Sequence, residues 1–227
     1  MIEGNNILRA SPNFNDRLLP IGILVLHYTG MTSGAEAIDW LANPQSGVSA
    51  HYVVAEDGQV LHMVDEAKRA WHAGRSWWRG VTDVNSASIG IEIVNPGHEF
   101  GYVPFPAPQM DAVHALVAAI TARHGIKPAN VVGHSDIAPT RKEDPGELFD
   151  WPRLAAAGLA ARPQPCSDPN WTDPGFLAAL GRYGYDITTP NEAVIAFQRH
   201  HRPAKFDGVI DAESRSILRG LLLAEGL

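Results

Sequence analysis

Three short, continuously apolar runs of β-forming residues constrain this chain more than any other feature. "IGILVLHY" (21–28), "ASIGIEIVN" (87–95) and "NVVGH" (130–134) lack the polar alternation of a strand with one wet face. Runs of this kind suit strands covered on both faces. Each also carries a polar group: His27 near the end of the first, Glu92 between two isoleucines of the second, His134 ending the third. Between the second and third lies "APQMDAVHALVAAITARHG" (107–125), with helical periodicity and a glycine suited to a helix C-terminus. "HYVVAEDGQVLHMV" (51–64) reads as a hairpin that turns at "EDGQ". Strands alternating with helices imply an α/β fold, with a central mixed β-sheet flanked by helices and its polar groups gathered at one edge.

The pattern changes after "FDWPRLAAAGLAA" (149–161), which reads as a helix. "RPQPCSDPNWTDPG" (162–175) holds four prolines in fourteen residues and no periodicity, the composition of a linker. Beyond it "GFLAALGRYGY", "PNEAVIAFQRHH" and "DAESRSILRGLLLAEG" read as three short helices. The expected division is a sheet domain over 1–161, a proline-rich linker over 162–175 and a small three-helix C-terminal domain over 176–227. A bundle of about fifty residues has a marginal core of its own.

Composition removes several classes of function. The 18 basic and 25 acidic residues leave a net charge of −7, which argues against non-specific binding to nucleic acid or to an anionic membrane surface. The single cysteine, Cys166, excludes an intramolecular disulfide framework and a cysteine-rich metal site. No run reaches the ~18 apolar residues of a membrane span. The opening "MIEGNNILRASPNFNDRL" lacks a basic n-region, an apolar h-region and a small-residue cleavage site. With Met1 as the native start, the expected location is cytoplasmic; with another start it is the periplasm or cell envelope.

"GHSDIAPTRKEDPG" (133–146) buries little apolar surface, so packing alone does not explain its charges. His134 and Asp144 stand ten residues apart across a turn-rich segment containing Pro139 and Pro145. Folded back, such a loop can put both on one metal, with His27 arriving from a neighbouring strand. Catalytic zinc takes three protein ligands and leaves one position open. The competing reading is a solvated loop with ordinary salt bridges. Glu92 likewise has two readings: an edge position facing solvent or an arginine, or a carboxylate opening into a cleft to move protons. Lys142 is either a surface lysine or an ammonium placed beside a developing oxyanion. Arg141, Glu143 and Asp136 read as ordinary loop or supporting charges. A nucleophile mechanism has little support, since no G-x-S-x-G occurs and Cys166 lies in the linker.

The other histidines call for no special chemistry. His114, His124, His200 and His201 lie in helices and read as surface or half-buried residues, and His51 and His62 as structural parts of the hairpin. In "AWHAGRSWW", Trp71, His72, Trp77 and Trp78 form an aromatic, polar cluster. It can line the sugar side of a cleft or pack structurally.

With these motifs in view, the chain resembles the zinc-dependent N-acetylmuramoyl-L-alanine amidases related to peptidoglycan recognition proteins. The matching pieces are "VLHYTGM" (25–31), "VSAHYVVAEDGQV" (48–60), "AWHAG" (70–74), "SIGIEIVNPG" (88–97) and "GHSDIAPTRKEDPGELFDW" (133–151). They run in the family's order through most of residues 10–155, and the last is similar to the anhydromuramyl-peptide amidase subgroup. The resemblance implies one zinc ion held by His27, His134 and Asp144, Glu92 as catalytic acid and base, and Lys142 stabilising the transition state. It implies a substrate in peptidoglycan or its fragments, cleaved between N-acetylmuramic acid (or its 1,6-anhydro form) and L-alanine of the stem peptide. Thr140 stands where a glycine is usual and Glu147 where a proline is common, which puts local loop shape in question. "AVIAFQRHHRPAKFDGVIDAESRSIL" (193–218) is similar to the peptidoglycan-binding three-helix domain through its Phe-Gln pair and "DG-x-I-D" turn. Its alternative is a purely structural docking bundle. Two other functions compete: a wall-fragment binder without turnover, and a zinc amidase acting on an unrelated amide.

Overall fold

A computed structural model describes residues 6–227. In chain order the elements are β1 (Asn6–Leu8), β2 (Phe14–Asp16), β3 (Ile23–Tyr28), α1 (Gly34–Ala42), β4 (Tyr52–Val54), β5 (Val60–His62) and β6 (Lys68–Ala70). There follow α2 (Val84–Ala87), β7 (Ser88–Ile93), α3 (Gly97–Phe100), α4 (Ala107–His124), β8 (Val131–Gly133), α5 (His134–Ile137) and α6 (Trp151–Ala156). The chain closes with α7 (Asp173–Tyr183), α8 (Pro190–His201) and α9 (Ala212–Glu225).

Six strands form one sheet in the order β1-β5-β4-β7-β3-β8, while β2 and β6 make a separate antiparallel pair. The sheet is mixed: the hairpin β4–β5 is antiparallel, and β4, β7, β3 and β8 run parallel. The α/β architecture with a central mixed sheet is therefore the one the strand and helix patterning implied. The register pairs His27 of β3 with Glu92 of β7, so both side chains leave the same face near the strands' C-terminal ends.

The two faces are covered differently. Leu24 and Leu26 of β3 and Ile89, Ile91 and Ile93 of β7 join Met110, Val113, Leu116, Val117 and Ile120 of α4 in one apolar cluster. That stripe repeats every three to four residues, so α4 lies along the sheet. The helix ends at Gly125, whose left-handed φ of 64° lets its N–H reach back to Thr121 O. On the other face, Ile23, Val25 and Val132 cluster with Leu180 of α7, Phe197 of α8 and Leu222 of α9. The second cover demanded by doubly apolar strands thus comes from Trp78, Val84 and Ile137 together with the C-terminal helices, of which α8 packs on α5.

The proline-rich segment does not hang free between these parts. Gln164 N–H donates to Gly220 O at 3.1 Å, Cys166 Sγ lies 3.0 Å from Ser216 O, and Arg215 grips Asp168 with two 2.8 Å bonds. A side chain at 220 would collide with the Gln164 backbone, so glycine allows this close approach. The helix expected over 149–161 is shorter, stopping after Ala156 before Gly158 at φ 73°. Helix α1 opens at Ser33, whose hydroxyl accepts the Glu36 N–H at 3.2 Å.

Candidate metal centre and active site

The segment after β8 folds back on itself, with Ser135 N–H donating to Asp144 O at 2.9 Å. This brings Asp144 against His134, and both against His27 at the end of the neighbouring strand. His27 Nδ1 and His134 Nδ1 lie 2.9 Å apart, and each is 3.1 Å from Asp144 Oδ2. All three residues are buried, and together they form a cluster able to hold a metal ion.

Which ring nitrogens carry protons follows from what surrounds them. His134 Nε2 sits 3.1 Å from Ala73 O, which can only accept, so Nε2 is protonated and Nδ1 is bare. For His27 the chain is longer. Ser88 Oγ donates to Val84 O at 2.6 Å, leaving its oxygen to accept from His72 Nε2 at 3.2 Å. His72 Nδ1 is then an acceptor for His27 Nε2–H at 3.0 Å, which again leaves Nδ1 bare. Two lone pairs and a carboxylate oxygen therefore converge with no hydrogen between them, an arrangement that a bound metal ion would relieve. Edges of 2.9–3.1 Å are close to the ~3.3 Å expected between ligands of a tetrahedral ion bound at ~2.0 Å.

The backbone around His72 is built for this relay. Its N–H and that of Ala73 both donate to Asn85 Oδ1, at 2.9 and 2.7 Å. Its ring lies flat on Gly90, where a Cβ would come within 2.5 Å of the imidazole. Burial, then neighbouring His134, pushes His27 down to about 4, so the ring is neutral at pH 7. Burial, then His27, likewise holds His72 well below the ordinary histidine value. Burial by itself would raise the Asp144 carboxyl, and only positive charge beside it lowers it; with the Nδ1 atoms of His134 and His27 bare, a cation held between the three would have to supply that charge. Neutral imidazoles and an ionised carboxylate are the forms that bind metal.

The triad opens into a cleft of about 590 Å³ that also receives Glu92, Lys142 and His72. Glu92 Oε2 is sealed from solvent and, among the described residues, has no hydrogen-bond partner. Burial first, then Asp144, raises its carboxyl well above the usual range, with Lys142 acting weakly against them. β7 is paired on both sides and no arginine pairs with Glu92 among the described residues, so the edge and arginine-paired readings fail. Lys142 is exposed at the cleft, and its ammonium has no hydrogen bond or ion pair among the described residues. All five residues singled out by the sequence meet in one place.

The sequence profile that describes N-acetylmuramoyl-L-alanine amidases matches residues 17–147. The chain belongs to the N-acetylmuramoyl-L-alanine amidase family. N-acetylmuramoyl-L-alanine amidase AmiD of Escherichia coli K12 is 39% identical over 231 residues, 89% of this chain and 82% of that one. The 1,6-anhydro-N-acetylmuramyl-L-alanine amidase AmpD of Enterobacter cloacae is 39% identical over 109 residues, 48% of this chain and 56% of that one. The solved complex of E. coli AmiD with anhydro-N-acetylmuramic acid-L-Ala-D-gamma-Glu-L-Lys superposes with a TM-score of 0.83 at 36% identity, covering 96% of this chain and 91% of that one.

In this amidase the packing reading of the tryptophan cluster holds, and other features depart from the sequence expectations. Trp78 packs in the core, Trp71 donates to Asn15 Oδ1 at 2.9 Å, and neither they nor Trp77 line the cleft. The aromatic surface there comes instead from Trp40 of α1 and Phe100 of α3, each 47% exposed. Exposed aromatics on two short helices left no periodic signal. His72 carries the relay to His27, a role that "AWHAG" could not reveal without its contact to Gly90. His200 is buried rather than at the surface, and Asp136 is a buried carboxylate rather than an ordinary loop charge. The two are bonded to each other at 2.7 Å.

Proposed function

We propose that His27, His134 and Asp144 hold one zinc ion, and that Glu92 and Lys142 carry out amide hydrolysis beside it. The bond cleaved joins the lactyl group of N-acetylmuramic acid, or of its 1,6-anhydro form, to L-alanine of the stem peptide, in cell-wall turnover or recycling. The observation that carries this reading is the convergence of two bare imidazole nitrogens and one carboxylate oxygen at the floor of an open cleft. Two nitrogens and one oxygen, with a side left open, suit catalytic zinc better than the all-oxygen shells of magnesium or calcium.

When bound, zinc supplies Lewis-acid polarisation of the scissile carbonyl and lowers the pKa of the attacking water towards ~7. The protein does the rest. His72 and Ala73 keep the protons of the two histidines on the sides facing away from the ion. Glu92, made more basic by its surroundings, takes a proton from the attacking water and delivers it to the departing amide nitrogen. A carboxyl that exchanges its proton with the reacting groups can do both. Lys142 places positive charge on the same cleft, where negative charge develops on the former carbonyl oxygen. Trp40 and Phe100 offer apolar faces to the substrate at the rim.

Replacing Glu92 with alanine tests the assignment. The variant is expected to keep zinc at one equivalent while losing nearly all turnover of a muropeptide. Near-normal turnover would remove Glu92 from the mechanism.

A further inference from the structure

Asp136 is a carboxylate without any role in the chemistry described, yet its side chain is wholly buried. It sits two residues beyond His134 in the single turn of α5. Its Oδ2 accepts from Gly133 N–H at 2.7 Å and from His200 Nδ1 at 2.7 Å, and its Oδ1 accepts from Tyr185 OH at 2.7 Å. Two of these three donors belong to the C-terminal helical region. Stripped of them, the buried carboxyl group would keep one partner, and an under-satisfied buried polar group is destabilising.

The other end of the metal-bearing segment faces the adjacent residue of α8, through long ion-pair contacts without a hydrogen bond. Arg199, largely buried, lies 3.8 Å from Glu143 and 3.9 Å from Glu147, the charges on either side of Asp144. Glu147 also takes His98 Nε2 at 3.1 Å, and His98 meets Tyr28 OH at 3.0 Å, so the contact runs on to the strand that carries His27. Between the two ends, the His200 ring stacks on Trp151 at 3.7 Å, just beyond the segment. Beneath it, Ile137 and Ala138 share their apolar cluster with Phe197 and Tyr185.

We infer that the C-terminal helices are a working part of the metal centre: Arg199 and His200, consecutive on α8, with Tyr185, clasp residues 134–147 and fix the separation of His134 from Asp144. These three are positioning residues, since none touches the ligand atoms. The inference rests on the metal reading above, and it gives the C-terminal unit a task within the catalytic half whether or not it also binds wall polymer. A module that merely packed alongside would have no need to place hydrogen-bond donors on a buried carboxylate beside a metal ligand.

The test uses the full chain and four substitutions: His200→Ala, Tyr185→Phe, Arg199→Met and, as a control, Leu218→Ala in α9, which packs on α7. Zinc affinity is measured by competition with a chromophoric chelator, and cobalt substitution reports coordination geometry by its visible absorption. His200→Ala is expected to weaken zinc binding about tenfold or more, as supporting partners of metal ligands commonly do. Tyr185→Phe and Arg199→Met should weaken it in the same direction, and the cobalt spectrum of His200→Ala should change. Leu218→Ala should lower the melting temperature and leave zinc affinity within about twofold. The inference is overturned if His200→Ala and Tyr185→Phe bind zinc as the parent does, or if Leu218→Ala weakens it equally. Should His200→Ala fail to fold, Tyr185→Phe decides, because it removes one hydroxyl and keeps the ring. Amide exchange at Ser135, whose N–H is bonded to Asp144 O, reads the clasp without metal and should quicken in the variants. A parent chain that takes up no zinc would sink the metal reading, while the exchange rates would still decide the clasp.

Discussion

Replacing His72 with phenylalanine removes one hydrogen-bond acceptor from the active site and leaves a flat ring of similar size over Gly90. The cost can be worked from the relay. His27 is 1% exposed, so its Nε2–H would lose the His72 acceptor with no water to replace it. Leaving that donor unpaired costs about 1–3 kcal/mol. The ring's alternative is to move its proton to Nδ1, which puts hydrogen where a metal must bind. By either route, zinc affinity should fall about 10- to 100-fold, equivalent to about 1.4–2.8 kcal/mol. Apoprotein titrated with zinc against a chromophoric chelator measures this directly. His72→Gln, whose amide oxygen can accept the same bond, should recover part of the loss. A folded His72→Phe protein that binds zinc within about twofold of the parent would refute the proton assignment.

Two further substitutions separate the remaining roles. Lys142→Met should lower kcat about 10²- to 10³-fold, as loss of an oxyanion donor does, with zinc content unchanged by elemental assay. Glu92→Gln should change the pH dependence of stability in metal-free protein. The folded carboxyl titrates well above its unfolded value, so the native state holds the extra proton between the two and parent stability falls as pH rises through that window. The glutamine variant lacks this slope. Urea midpoints of the two proteins should diverge from about pH 4.5 upward and run parallel above the folded pKa. Parallel midpoints throughout would mean that the surroundings of Glu92 do not raise its carboxyl.

What the sequence revealed about this amidase was whatever is local in the chain. Doubly apolar strands and one long periodic helix dictated a covered sheet, and the strand ends delivered His27, Glu92 and His134 to one edge. The same patterning could not say what covers the second face, because an apolar stripe names no partner; Phe197 and Leu222 proved to be packed in one cluster with Val25 and Val132. Asp136 and His200 are 64 residues apart and each is unremarkable alone, since a buried hydrogen bond between side chains leaves no periodic trace. His72 was visible as part of a motif, but its use depends on a missing side chain at Gly90. Short α1, which carries Trp40 to the cleft, rests on a Ser33 cap and too few turns to show a clear period.

The most direct test of the central claim is mass spectrometry of an anhydro-muropeptide incubated with the zinc-loaded chain. Two products are expected, the free stem peptide beginning at L-alanine and the sugar with a free lactyl carboxylate, whose masses sum to substrate plus one water. Substrate bound but returned intact would make the protein a fragment binder, and cleavage at any other bond would contradict the assigned reaction.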